Sequence, residues 1–272
     1  MKKILILIII PDLKDDSSIN LWNEGIKKYN TNWTNPNIEL KTLQIYRRWI
    51  IGYNYWKKLV NKNDNIDIFF IRTSCILNQS YKINDDIITF KYNEKCGHII
   101  YKTLKSLEIF QNKYDYIIRT NVNTFIDLHN LNKFIQTLNT TNIFTSLFWE
   151  GGSYPYGYFI LISNDVANHI ISHGLIEEWK YKELADDYEL TQIILKKYDY
   201  YILDNCDKPY TQNKKVNKYG IRFNADEIGE SSDVIIDAIN NAPDSVFLYR
   251  IKNISDNEYI KVYDYVMKKI DK

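Results

Sequence analysis

The sequence predicts an α/β domain with a mostly parallel central sheet, flanked by helices and accompanied by a smaller mixed sheet. Three observations carry that expectation. The run Ile4 to Ile10 is apolar at every position and β-branched at most, as a strand covered on both faces requires. Strand-like runs alternate with helical periodicity through the first half, the pattern of parallel strands joined by right-handed crossovers. The second half is less regular, which points to mixed pairing there.

The first element needs the most care. Met1-Lys2-Lys3 ahead of an apolar run imitates a signal peptide, but Pro11-Asp12-Leu13-Lys14-Asp15-Asp16 follows at once without a small-residue cleavage site. The run is also far shorter than the roughly 20 apolar residues of a bilayer span. It reads as a buried first strand, and no transmembrane segment is expected. Further strand-like runs fall at Ile66–Arg72, Ile87–Tyr92, Tyr114–Thr120, Ile143–Phe148, Tyr158–Ile162, Tyr200–Leu203 and Val246–Ile251.

Helical faces lie between them. Ser17 or Ser18 caps a helix carrying Ile19, Trp22, Ile26 and Tyr29. Ile100, Leu104, Leu107 and Phe110 make a second face. Asp127 or Asn130 caps a third helix with Leu131, Phe134, Ile135 and Leu138, and Ser163 or Asn164 starts a fourth through Val166 and Ile170. Asp186 and Asp187 head a fifth, followed by Leu190, Ile194 and Leu195. No repeat, heptad stretch or Pro/Ser-rich linker divides the 272 residues, so a single domain is expected.

Composition excludes several classes. A formal net charge of +1 lacks the basic excess of a nucleic-acid binder. Ile, Asn, Lys and Tyr, all with A/T-rich codons, dominate the chain and point to an AT-rich viral or microbial genome. The three cysteines, Cys75, Cys96 and Cys206, form no CxxC pattern and read as reduced thiols of a cytoplasmic protein, in the host cytoplasm for a viral chain. The 23 tyrosines and 6 tryptophans suit sugar faces as well as ordinary cores.

Ligands of such sheets bind beyond the carboxyl ends of the strands. The most informative strand end is Tyr114-Asp115-Tyr116-Ile117-Ile118-Arg119-Thr120-Asn121-Val122-Asn123-Thr124-Phe125-Ile126-Asp127, preceded by the helical Lys102-Thr103-Leu104. Two later segments follow in order: Gly151-Gly152-Ser153-Tyr154-Pro155-Tyr156-Gly157-Tyr158-Phe159-Ile160-Leu161-Ile162-Ser163, and Ala185-Asp186-Asp187-Tyr188-Glu189-Leu190-Thr191. Over residues 95 to 200 this layout resembles the Fringe-like and β-1,3-galactosyltransferase group of GT-A enzymes. In that group a K-T-L helix precedes a K/R-T-D-D-D-x-F strand end, and a Y-P-x-Y-x-x-G-x-G-Y-x-L-S segment and an E-D-V-x-x-G segment follow. The chain is also similar to a branch of GT-A-like proteins from viruses and bacterial polysaccharide clusters, with R-T-N-x-S-S/T-F at this place.

The resemblance implies a GT-A-like domain with a nucleotide-sugar half at about 1–130 and an acceptor half at about 131–272. It implies transfer of a sugar from a nucleotide-sugar donor, a UDP-sugar first, to a glycan or small-molecule sugar acceptor, with inversion. Asp187 is then the general base, with Asp186 as the neighbouring candidate. Arg119, Asn121 and Asn123 face the donor, and Arg250 and Lys252 are candidates for its diphosphate. Trp149, Glu150, Gly151, Gly152, Tyr154 and Tyr156 line the acceptor side.

The departure is at Asn121-Val122-Asn123. In the group, aspartates here hold a divalent ion, Mn²⁺ or Mg²⁺, on the diphosphate, and a neutral amide is a poorer ligand for such an ion. Basic side chains or a helix N-terminus would have to replace it. Each assignment has a plainer counterpart. The asparagines close a turn and cap the next helix, the aspartates favour a helix N-terminus, Arg250 and Lys252 end a solvated strand, and the aromatics are core. His169 and His173, at i and i+4 without a zincin glutamate, read as surface or packing residues. A catalytically silent carbohydrate-binding protein and a structural protein of a particle are the alternatives. The absence of GxGxxG and GxxxxGK[ST] argues against a dehydrogenase or kinase.

Overall fold

The computed structural model describes residues 1–10, 38–74, 76–92, 99–147, 149–150, 154–172, 190–191, 214–216, 219–224, 231–252 and 256–270. Its centre is strand β1 (Ile4–Ile9), every residue of which is buried. β1 lies between β2 (Ile66–Ser74) and β5 (Tyr116–Asn121), parallel to both, with Ile4 opposite Ile66 on one side and Tyr116 on the other. A central strand of a parallel sheet has no wet face, which is why the run carries no polar residue. Ile4, Ile6 and Ile8 enter one core, and Leu5, Leu7 and Ile9 enter the other.

The remaining strands of this sheet are β3 (Tyr81–Asn84), β4 (Ile87–Lys91), β7 (Phe144–Thr145) and β10 (Phe159–Ser163). The seven run β3-β4-β2-β1-β5-β10-β7, with β3 and β10 antiparallel to their neighbours β4 and β5. A four-stranded sheet runs β11-β12-β13-β6, from β6 (Thr124–Ile126), β11 (Lys214–Val216), β12 (Gly220–Asn224) and β13 (Leu248–Lys252). It is mixed, as expected, with β12 and β13 parallel and the outer pairs antiparallel. β8 (Trp149–Glu150) and β9 (Tyr154–Pro155) form a separate antiparallel pair.

Helices cover both faces. Face one is packed by α1 (Ile38–Leu59), α3 (Leu128–Gln136), α5 (Ser232–Asn240) and α6 (Asp256–Ile270), through Trp56, Phe134, Ile235 and Val262 among others. Face two is packed by α2 (Ile99–Ile109) and α4 (Asn164–Ser172), through Leu104, Leu107, Val166 and Ile170. The fold class is therefore α/β with a mostly parallel sheet between helical layers. No helix among the described residues is long and apolar enough to cross a membrane.

The third helix is capped by Asp127, not Asn130: its carboxylate accepts from the backbone N–H of His129 at 2.9 Å and of Asn130 at 3.1 Å. Such a cap contributes about 1 kcal/mol. α1 ends as expected of an αL stop, with Asn61 at φ 60°. Among the strand expectations, Ile143–Phe148 is reduced to Phe144–Thr145, paired with β10; Ile143 O accepts from the Ser163 N–H of β10 at 2.8 Å, and Phe148 lies outside the described residues. β6 from the first half lies in the smaller sheet, and β7 and β10 from the second half complete the larger one, so the two halves interlock. The helix expected after Ser17/Ser18, the strand Tyr200–Leu203 and all three cysteines lie outside the described residues.

One contact joins the last two helices. Glu258 of α6 accepts from the backbone N–H of Ser232 at the start of α5, at 2.7 Å, and from Lys261 at 2.9 Å. The Ser232 bond, reinforced by Lys261, pulls the Glu258 carboxyl down from 4.5 to about 2. A lowered folded-state value means stabilisation that is full above about pH 4.5 and is lost as pH falls towards 2. Thermal melts of wild type and Glu258→Gln should therefore differ most above pH 4.5 and converge near pH 2. A difference that stays constant across that range would show that the charge plays no part.

Candidate functional site

The sheet order reverses its direction of growth at one place. From β1 the chain builds outward through β2 and β4, then returns to set β5 on the other side of β1. Crevices for ligands form at the carboxyl ends of the strands flanking such a switch point. Here those ends are Ile9–Ile10 and Asn121, with Val122 N–H donating to Ile9 O at 3.2 Å.

Asn121-Val122-Asn123 is thus the tip of β5 and, at once, the bridge between sheets. The chain leaves the large sheet at Asn121 and enters the small one at Thr124, which pairs with Arg250 of β13. Helix α1 presses against this bridge. Gly52 is buried there, and a Cβ on it would stand 2.1 Å from the Val122 carbonyl oxygen. Just beyond Gly52, Tyr55 OH donates to Ile126 O at 2.7 Å and Trp56 Nε1 to Thr124 O at 3.0 Å. The close approach explains the glycine.

Arg250 reaches the tip from the small sheet. Its Nη1 donates to the backbone oxygen of Asn123 at 2.8 Å and also to Asn123 Oδ1. Its guanidinium lies over the ring of Tyr158, 5.7 Å from the centroid. Tyr158 stacks on Tyr156 with centroids 5.5 Å apart, and its carbonyl accepts from Thr120 Oγ1 at 2.6 Å. A continuous chain of contacts therefore runs from the strand tip through Arg250 to the Gly/aromatic segment.

A second cation stands nearby. Arg48 of α1, one turn before Gly52, lies over the ring of Tyr259 at 5.6 Å. Burial pushes the Tyr259 phenol above its ordinary value, against the opposing pull of Arg250 and Arg48. Lys102, fully buried in α2, donates to Ile10 O at 3.2 Å at the end of β1. Among the described residues, Arg48, Lys102 and Arg250 are the cations that lie around the switch point.

Of the residues expected in the site, the structure brings together Asn121, Asn123, Arg250 and Tyr156. Arg119 belongs to β5 but is 2% exposed, on the α2 side of the sheet, so it stands within the layer behind the tip. Arg250 is 5% exposed, which corrects the reading of it as a solvated strand end. The reading of the asparagines as helix caps is corrected too, since Asp127 takes that role and Asn123 binds Arg250. Lys252 pairs with Asn224 at the end of β13, and Trp149, Glu150 and Tyr154 form the β8–β9 pair. His169 is buried in α4, as a packing residue is. Asp186, Asp187, Gly151, Gly152 and His173 lie outside the described residues.

Sequence reasoning missed Gly52, Arg48 and Tyr259. An isolated glycine inside a helical run is a usable signal for a close approach, whereas nothing local marks the other two.

The tip does not fit a divalent cation. Both oxygens that Asn123 would offer are turned to a guanidinium, and an amide is a weak ligand for such an ion even when free. Among the described residues no group of three or more His, Cys, Asp or Glu is placed to hold a metal. The sequence matches no family model and no curated protein.

Proposed function

We propose that the protein is a GT-A-like glycosyltransferase that moves a sugar from a nucleotide-sugar donor to a hydroxyl of a glycan or small sugar. The observation that carries this reading is the coincidence of the Asn121-Val122-Asn123 tip with the topological switch point, joined through Arg250 to the Tyr156–Tyr158 segment. Breaking the bond from anomeric carbon to diphosphate requires stabilisation of charge growing on the phosphates. Arg250, bonded to the tip at Asn123, is the described cation placed to supply it without an ion. The aromatic rings adjoining the tip offer flat faces to a sugar. By the resemblance, Asp187, with Asp186 beside it, takes the acceptor proton, transfer proceeds with inversion, and UDP-sugars come first among donors.

The replacement of both acidic ligands by amides favours one other reading, a GT-A-like carbohydrate-binding protein without turnover. Release of nucleotide from a panel of UDP-, GDP- and dTDP-sugars, measured in EDTA with and without simple sugar acceptors, separates the two. Acceptor-stimulated release from one donor is the expected result. Sugar binding with no release from any donor, in EDTA or in Mn²⁺, would leave the silent binder standing.

A further inference from the structure

The Arg250 contact fixes more than the position of Asn123. A side-chain amide has an acceptor end and a donor end, and only the acceptor end can face a guanidinium. With Oδ1 held by Arg250, the Nδ2 end is turned away from it. The opposite flip would set one N–H donor against another, so the hydrogen-bond pattern itself decides the orientation. Asn123 is partly exposed, and beyond its two bonds from Arg250 it has no hydrogen bond to any described residue. Asn121, also partly exposed at the end of β5, makes no side-chain hydrogen bond among the described residues. The tip thus carries an oriented side-chain amide at Asn123, bonded to the Arg250 guanidinium, and two residues before it a second amide, Asn121, with no side-chain bond among the described residues.

We infer that the Asn121-Val122-Asn123 tip is a direct oxyanion site of the phosphate or diphosphate class, that Arg250 is its positioning residue, and that the tip is closed to divalent cations. The inference rests on the donor-site reading of the tip and names how the donor's phosphates are held. Amide N–H groups and fixed cations recognise acceptor oxygens. A cation site needs the reverse polarity, with oxygens facing outward. The two alternatives respond oppositely to Asn123→Asp. In an oxyanion site, the new carboxylate pairs one oxygen with Arg250 and turns the other, negative, toward the ligand. In a cation site, the same change restores a missing ligand.

The test is calorimetric titration of wild type and Asn123→Asp with sodium pyrophosphate in EDTA and, separately, with MnCl₂ alone. Wild type should bind pyrophosphate and give no heat with Mn²⁺, and Asn123→Asp should bind pyrophosphate at least about tenfold more weakly without gaining Mn²⁺ affinity. In ¹⁵N-labelled wild type, the Asn123 side-chain amide resonance should shift on adding pyrophosphate, a readout that needs no variant to fold. Arg250→Lys, which keeps the charge but loses the planar fork, should move that resonance in the free protein. Pyrophosphate affinity unchanged in Asn123→Asp, Mn²⁺ binding by wild type that tightens in Asn123→Asp, or no pyrophosphate binding at all would each overturn the inference. Sugar transfer that requires Mn²⁺ would sink this inference and keep the transferase. Pyrophosphate binding in EDTA with no transfer from any donor would do the opposite.

Discussion

Gly52→Ala is expected to lower the thermal midpoint and weaken pyrophosphate binding, although the same change in an open helix raises stability. Alanine is favoured over glycine in a helix interior by roughly 0.5–1 kcal/mol. At this position the added methyl would stand 2.1 Å from the Val122 carbonyl oxygen and 2.9 Å from its carbonyl carbon. Those are backbone atoms at the junction of two sheets, so no side chain can swing aside. Nor can α1 easily retreat, since Tyr55 and Trp56 tie it to Ile126 and Thr124 at 2.7 and 3.0 Å. Overpacking of a filled interior costs about 1–3 kcal/mol, and a contact this short belongs at the upper end. The net loss should be about 2 kcal/mol, or roughly 3–4 °C for a domain of this size. Asn54→Ala is the control, since Asn54 is exposed on the same helix and should be neutral or slightly stabilising. A Gly52→Ala protein that melts at or above wild type would mean the tip tolerates movement, and the rigidity argued for it would fail.

The same contrast shows why some of this molecule was readable from its residues and some was not. β1 was legible because a strand with two buried faces has to be apolar throughout, and α2, α3 and α4 because their apolar residues repeat at helical spacing. α1 went unread. Its run Trp49-Ile50-Ile51-Gly52-Tyr53 is nearly continuous in apolar residues, which hides the 3.6 period, and a glycine sits in the middle. β6 is three residues between a tip and a cap, too short to show alternation. Within the site, Asn121 and Asn123 were found because they end a strand that announces itself. Arg250 was placed on its strand but not against its partner, because 127 residues separate it from Asn123 and no local pattern encodes that meeting. Polarity of the tip follows from that meeting. An asparagine alone is equally a donor and an acceptor, and only its partner decides which end faces the ligand.

Arg250→Met should be the other strongly destabilising change. It keeps a long apolar stem but removes the group that donates to Asn123 O at 2.8 Å and to Asn123 Oδ1, and that lies over Tyr158. Hydrogen bonds to a charged group contribute about 1.5–3 kcal/mol, and the ring contact adds roughly 0.5–2 kcal/mol. Because Asn123 is partly exposed, water recovers some of this, so a loss of about 2–3 kcal/mol is expected. Asn123→Asp should move stability the other way or leave it unchanged, since a carboxylate is a better partner for the guanidinium. Combining the two should therefore show coupling of about 1–3 kcal/mol in a double-mutant cycle. Additive losses would mean that Arg250 acts through contacts other than Asn123 and leaves Asn123 unconstrained. Strong coupling with pyrophosphate affinity lost in both single variants would identify one device: a guanidinium that holds the strand tip together and sets its amide to receive an anion.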